Sequence, residues 1–140
     1  MLIMSTEHWK YVDMIKIIEL IFLAIGGAAG AILRFKLIES ELMFGFLPIS
    51  ILVANIVGSF VLGAFMIISN QWHLDSRYTF LVAFGFCGSL TTMSAFALDS
   101  TTMLQQSHIG FAMINILLNV SLSLGSIFAG KTIFSMIIES

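Results

Sequence analysis

All the charge of this chain lies outside three long stretches. No Asp, Glu, Lys or Arg occurs between Glu41 and Asp75, between Arg77 and Asp99, or between Asp99 and Lys131. A helix needs about 20 consecutive apolar residues to cross roughly 30 Å of hydrocarbon. Buried helices of soluble proteins are rarely so long, or so numerous in one small chain. With a further apolar stretch ending near Arg34, the pattern predicts four transmembrane helices. Composition agrees. Soluble domains carry about 25% charged residues, whereas this chain is 10% charged and 59% hydrophobic, with a mean hydropathy of +1.04. Six basic and eight acidic residues cannot shield a chain of 15.4 kDa from water, so lipid must cover the rest. A strand-based barrel is disfavoured, because the segments lack period-2 alternation and are too long.

The same features exclude other classes. Net charge is −2 and there is no basic run, so a nucleic-acid partner has no electrostatic footprint. Cys87 is the single cysteine and lies in an apolar segment. It cannot close an intrachain disulfide, no metal-ligand spacing surrounds it, and it reads as a small buried core residue. His8, His73 and His108 fall in tails or loops with no shared spacing. No general base, partnered nucleophile or catalytic metal cluster is visible, so an enzyme is not expected. Lys16, the apolar run after it and the small residues Gly26 to Ala31 superficially fit a signal peptide. Glu19 interrupts that run, however, and another membrane segment follows. No internal repeat, low-complexity segment or linker divides the chain. The expected organisation is one four-helix membrane domain over residues 1–140. It is preceded by a short polar tail to about residue 16, in the region where Glu7, Lys10, Asp13, Lys16 and Glu19 crowd together.

Each span carries its own signal. The first runs approximately from Ile17 to Phe35, and its Gly26, Gly30 and Arg34 share one helix face. Small residues four apart let helices approach closely in lipid. Arg34 could snorkel to the interface, but its glycine-lined face suggests a structural anchor. The second span, approximately Pro48 to Asn70, opens with a proline suited to a helix's first turn. It places Asn55 and Ser59 on one face. An asparagine at that depth bonds another helix or lines a wet path. The third span, roughly Tyr78 to Gln105, is unusual. Its middle reads Gly85-Phe86-Cys87-Gly88-Ser89-Leu90-Thr91-Thr92-Met93-Ser94, poor material for a continuous helix. A break there would free carbonyls inside the membrane, which only protein, water or an ion can satisfy. The fourth span lies within about Ile109 to Ile133 and carries a ladder of Asn115, Asn119 and Ser123, with Ser126 close by. Such a stripe faces protein or water, not lipid. Four helices are too few to enclose much of a pathway, so an oligomer is expected. Basic residues favour cytoplasmic termini only slightly, a bias compatible with insertion in both orientations.

These residues resemble a known family. Gly26-Gly-Ala-Ala-Gly-Ala-Ile-Leu-Arg34-Phe looks like the first-helix signature of the Fluc (CrcB) fluoride channels. Leu52-Val-Ala-Asn55-Ile-Val-Gly58-Ser59-Phe60 looks like their second-helix motif, and Gly85-Phe-Cys-Gly-Ser-Leu-Thr-Thr-Met-Ser-Ala-Phe96 is similar to their third-helix break. Order and spacing agree over essentially the whole chain. The resemblance implies an all-α membrane protein whose third helix is broken near its middle, assembled as an antiparallel, dual-topology homodimer with two fluoride pathways. It implies a structural Na⁺ at the dimer centre, held by backbone oxygens that map to Gly88 and Thr91. Hard cations take oxygen ligands, and carbonyls supply them without burying counter-charges. It further places Asn55, Met93, Ser94, Phe96 and Asn119 along the anion pathway, and Asp99 as a vestibule acid. The chain departs from the family pattern at four positions. Met93 stands where the first of two phenylalanines is usual, Ala95 replaces a hydroxyl, Asp99 replaces the commoner glutamate, and Ser89 replaces a second glycine. Either the polarised C–H groups beside the Met93 sulfur substitute for a ring edge, or a second Fluc-type subunit in a heterodimer supplies the ring.

The leading expectation is therefore a multi-pass protein of the cell (inner or plasma) membrane that conducts fluoride passively out of the cytoplasm and relieves its toxicity. A small multidrug-resistance-type exporter, also a dual-topology dimer of four-helix subunits, is the alternative. It would need a mid-membrane carboxylate for proton exchange; Glu19 sits near a span's end and Asp99 beyond the break. A non-transporting scaffold would explain the glycines but not the hydroxyl-rich break.

Overall fold

The computed structural model describes residues 6–139. Four helices long and apolar enough to cross a membrane run over Met14–Glu39, Ile49–Gln71, Ser76–Gln105 and Ile109–Ile138. The four-span expectation is borne out. The first helix, α1 (Thr6–Glu39), starts well before Ile17, so the polar stretch ahead of the first span is helical from Thr6 onward. Nothing in it breaks a helix. Glu7, Lys10, Asp13, Lys16 and Glu19 alternate in sign three residues apart, a spacing that favours helix. Residues 1–5 of that stretch lie outside the described residues.

A tight hairpin joins α1 to the second span. Its strands β1 (Met43–Phe44) and β2 (Leu47–Pro48) pair antiparallel around Gly45, whose φ of +62° suits glycine. Pro48 caps α2 (Ile49–Gln71). The Ser50 hydroxyl accepts from the Leu42 N–H at 3.1 Å, tying the hairpin to the helix start.

The third span is built from pieces. Asp75 caps α3 (Ser76–Thr79) by accepting from the Arg77 N–H. The backbone then widens into a π-helix over Phe80–Cys87 and returns to α geometry in α4 (Gly88–Leu90). After Thr91 and Thr92 the chain resumes as α5 (Met93–Gln105), and α6 (Ile109–Glu139) completes the bundle. The break is narrower than the sequence suggests. Gly85 lies within the π-helix and Gly88 keeps helical angles (φ −63°, ψ −31°); only Thr91 and Thr92 are extended.

Glycine contacts bring the helices together in two pairs. α1 packs mainly on the π-helix, and α2 on α6. A Cβ on Gly26 would overlap the Leu81 carbonyl, and one on Gly30 the Phe86 carbonyl. In the other pair, a Cβ on Gly63 would overlap the Ile127 carbonyl and one on Gly130 the Phe60 carbonyl. Lipid is as apolar as these side chains, so close packing rather than hydrophobic exclusion holds the pairs.

Candidate functional site

The break in the third span is held open by side chains that intercept helix hydrogen bonds. In a continuous helix the Thr92 N–H would bond the Gly88 carbonyl. Here it donates to Asn55 Oδ1 at 2.8 Å. The Ala95 N–H, which would bond the Thr91 carbonyl, donates instead to Thr92 Oγ1 at 3.3 Å, capping α5. The carbonyls of Gly88 and Thr91 thus lose their helical donors to Asn55 and Thr92. Gly58 of α2 sits so close to this bend that a Cβ there would be 2.5 Å from Thr91 Cγ2.

Asn55 begins a relay. Its Nδ2 donates to Asn119 Oδ1 at 2.9 Å. Asn119 Nδ2 donates to Asn115 Oδ1 at 3.0 Å and to the Asn115 carbonyl at 3.1 Å. Asn115 Nδ2 donates to Ser100 Oγ at 3.0 Å, and that hydroxyl donates to the Phe96 carbonyl at 2.8 Å. The relay leaves the break, crosses α2 and α6, and returns to α5 one turn beyond its start. Buried amides need such partners, because an unmade hydrogen bond in a low-dielectric interior is costly.

A cavity of about 450 Å³ opens beside this relay, lined by Asn55, Gly88, Thr91, Met93, Phe96 and Asn119 among others. None of its lining residues is charged. Ser59 and Ser123 add hydroxyls to the wall, and Ser123 Oγ is buried with no hydrogen-bond partner among the described residues. Phe96 is buried, whereas Met93 is 74% exposed.

The structure gathers some of the sequence candidates and separates others. Asn55, Met93, Phe96, Asn119, Gly88 and Thr91 meet at the main cavity. Ser94 is exposed, with its Oγ 3.2 Å from Thr92 Oγ1, and is not part of that lining. Asp99 lines a second cavity of about 350 Å³ under the hairpin, together with Glu41 and Ser50. Its Oδ2 is buried without a partner among the described residues. Gly26 and Gly30 lie on the face toward the π-helix. Arg34 is half-buried, and no side-chain hydrogen bond or ion pair ties it to another described residue. Glu19 accepts from the Ser76 hydroxyl at 2.7 Å and lines neither cavity.

Two participants were not singled out from the sequence. Thr92 acts through its backbone and its capping hydroxyl, and nothing distinguishes it from Thr91 by type. Ser100 is the terminal hydroxyl of the relay. Phe96, Ser100 and Met103 are the buried face of α5, spaced four and three apart, so helical periodicity alone could have marked it.

Comparison with known proteins places these features in context. The family described as CrcB-like protein, Camphor Resistance (CrcB), matches residues 21–131. A protein of Nitrosopumilus maritimus named "Fluoride-specific ion channel FluC" is 48% identical over 123 residues, covering 88% of this chain and 98% of that protein. Proteins of the same name from a Sulfurihydrogenibium species and from Methanococcus maripaludis are 40% and 37% identical, covering 82% and 81% of this chain. They span 95% and 93% of those relatives.

Proposed function

The chain belongs to the CrcB-like family, and from that premise we propose that it is a fluoride channel, conducting the ion passively so that fluoride leaves the cytoplasm and its toxicity is relieved. The observation that carries this reading is the uncharged cavity beside the helix break, with an asparagine amide, hydroxyls and a phenylalanine on its wall. Fluoride is small and strongly hydrated, so a pore must replace its water with donors and positive edges. Asn55 offers an N–H and Phe96 a ring edge, which carries the positive end of the aromatic quadrupole. Among the described residues no carboxylate faces the cavity to repel an anion or to exchange protons.

The functional unit we propose is an antiparallel dimer of two such chains in the cell membrane. Gly88, Met93 and Ser94 are exposed on the broken side of the bundle, as residues meeting a second subunit would be. A homodimer is the simpler assembly; a second subunit of the same type could equally supply the ring that Met93 lacks. The released carbonyls of Gly88 and Thr91 suit a hard monovalent cation such as Na⁺. Bound there, the ion would neutralise carbonyl dipoles and lock two breaks together.

The exporter alternative fares poorly on the same ground. Glu19 is engaged with Ser76 at one end of the bundle, and Asp99 lies in the other cavity. Planar-bilayer recording separates the two. The channel reading predicts a current whose reversal potential follows the fluoride gradient by about 59 mV per tenfold, whatever the pH gradient. Transport that follows the pH gradient, with no fluoride current, would favour the exporter.

A further inference from the structure

The geometry points to Asn115 and Asn119 as positioning residues, which hold the Asn55 carboxamide so that its one uncommitted N–H serves the anion pathway. The inference rests on the fluoride-channel reading and assigns roles within it. The relay fixes every amide orientation by groups that can only donate or only accept. The Thr92 N–H can only donate, so Asn55 must present Oδ1 to it. Asn55 Nδ2 is thereby turned to Asn119, which must answer with Oδ1. At the other end, the Asn115 backbone carbonyl can only accept, which fixes Asn119 Nδ2 toward it independently.

A count of protons then divides the roles. A carboxamide nitrogen carries two protons. Asn119 Nδ2 uses both, on the Asn115 carbonyl and on Asn115 Oδ1, and Asn119 is only 5% exposed. It has no donor left for an anion. Asn55 Nδ2 uses one proton, on Asn119, and Asn55 is partly open to the cavity. Asn115 is 3% exposed and is not among the cavity-lining residues. It touches the pathway only through Asn119, and Ser100 supports it from behind. Were the strut lost, the Thr92 N–H alone would hold the Asn55 amide through Oδ1, and the plane of its Nδ2 would no longer be fixed toward the anion pathway.

The test is fluoride and chloride efflux from liposomes holding the purified chain, in which the parent's preference for fluoride first establishes the reading beneath this one. Asn115→Leu is expected to lower fluoride efflux about tenfold, as for loss of a positioning contact, although the residue does not reach the cavity. Asn115→Gln keeps both an acceptor for Asn119 and a donor for Ser100 and should recover most of that loss. In an Asn55→Ser background, which keeps a donor but has no amide to orient, Asn115→Leu should add less than about a twofold change. Undiminished efflux in Asn115→Leu, or equal losses in both backgrounds, would overturn the proposal. Should Asn115→Leu fail to fold, Ser100→Ala removes only the far end of the relay and carries the same comparison. A second readout is independent of flux. In ¹⁵N-asparagine-labelled protein, added fluoride should shift the Asn55 side-chain amide resonance and leave that of Asn119 in place. The reverse pattern would make Asn119 the ligand and sink the assignment.

Discussion

Asn55 carries two tasks with one side chain. Its oxygen takes the Thr92 N–H that would otherwise close the helix, and its nitrogen is the amide donor best exposed to the cavity. Asn55→Ala should therefore damage transport through both. Loss of a hydrogen bond to a charged partner is worth about 2 kcal/mol, so fluoride efflux should fall roughly thirtyfold, read with a fluoride electrode against a folded, correctly sized protein. Met93 is a different case. It is 74% exposed within the single chain, so Met93→Phe displaces no neighbour inside the subunit and should leave the subunit's own fold unchanged. If the C–H groups flanking its sulfur do the work of a ring edge, fluoride efflux in that variant stays within about threefold of the parent. A rise by orders of magnitude would mean that the thioether is a poor substitute.

At the scale of elements, glycine contacts determine how closely helices pair, and the position of each glycine predicts its sensitivity. Gly63→Ala would drive a methyl into the Ile127 carbonyl. Overpacking of this kind costs about 1–3 kcal/mol, which should appear as a lower unfolding temperature in detergent. Gly125→Ala on α6 meets nothing within 4 Å and should leave it unchanged. The start of the third span behaves as a charge-capped end. The Arg77 side chain, hydrogen-bonded to Asp75, holds that carboxyl below its ordinary range, helped by the Arg77 N–H. An acid with a depressed pKa stabilises the fold above its unfolded pKa and loses that contribution as pH falls through the folded value. The cap should thus be constant from neutral pH down to the ordinary aspartate value of 3.8 and fail only in stronger acid. Amide exchange at Arg77 followed against pH checks this.

What the sequence made legible follows the same division. The spans were readable because charge is excluded from lipid, and Asn55, Asn115 and Asn119 stood out because amides are rare at that depth. The π-helix over Phe80–Cys87 was not readable, since an apolar run looks alike in α and π geometry. Its Leu81 and Phe86 carbonyls lie against Gly26 and Gly30 of α1, a tertiary contact that the run's composition does not show. The break falls late in the glycine- and hydroxyl-rich stretch, because Gly85 and Gly88 weaken a helix without ending it. Two intercepted N–H groups end it at Thr91 and Thr92.

At the scale of the whole molecule, one chain leaves the residues proposed for the pathway beside an open side. The main cavity is walled by α2, α6 and both halves of the broken span, while Met93 and Ser94 face outward. A partner chain inserted in the opposite orientation would close that side and bring two breaks together, the arrangement proposed for the dimer. The measurement that tests the central claim most directly is anion efflux from liposomes that hold only this purified chain, with fluoride compared against chloride. The account predicts rapid fluoride loss while chloride is retained, which would also establish that one type of chain suffices despite Met93. Retention of both anions, or loss of both alike, would contradict it.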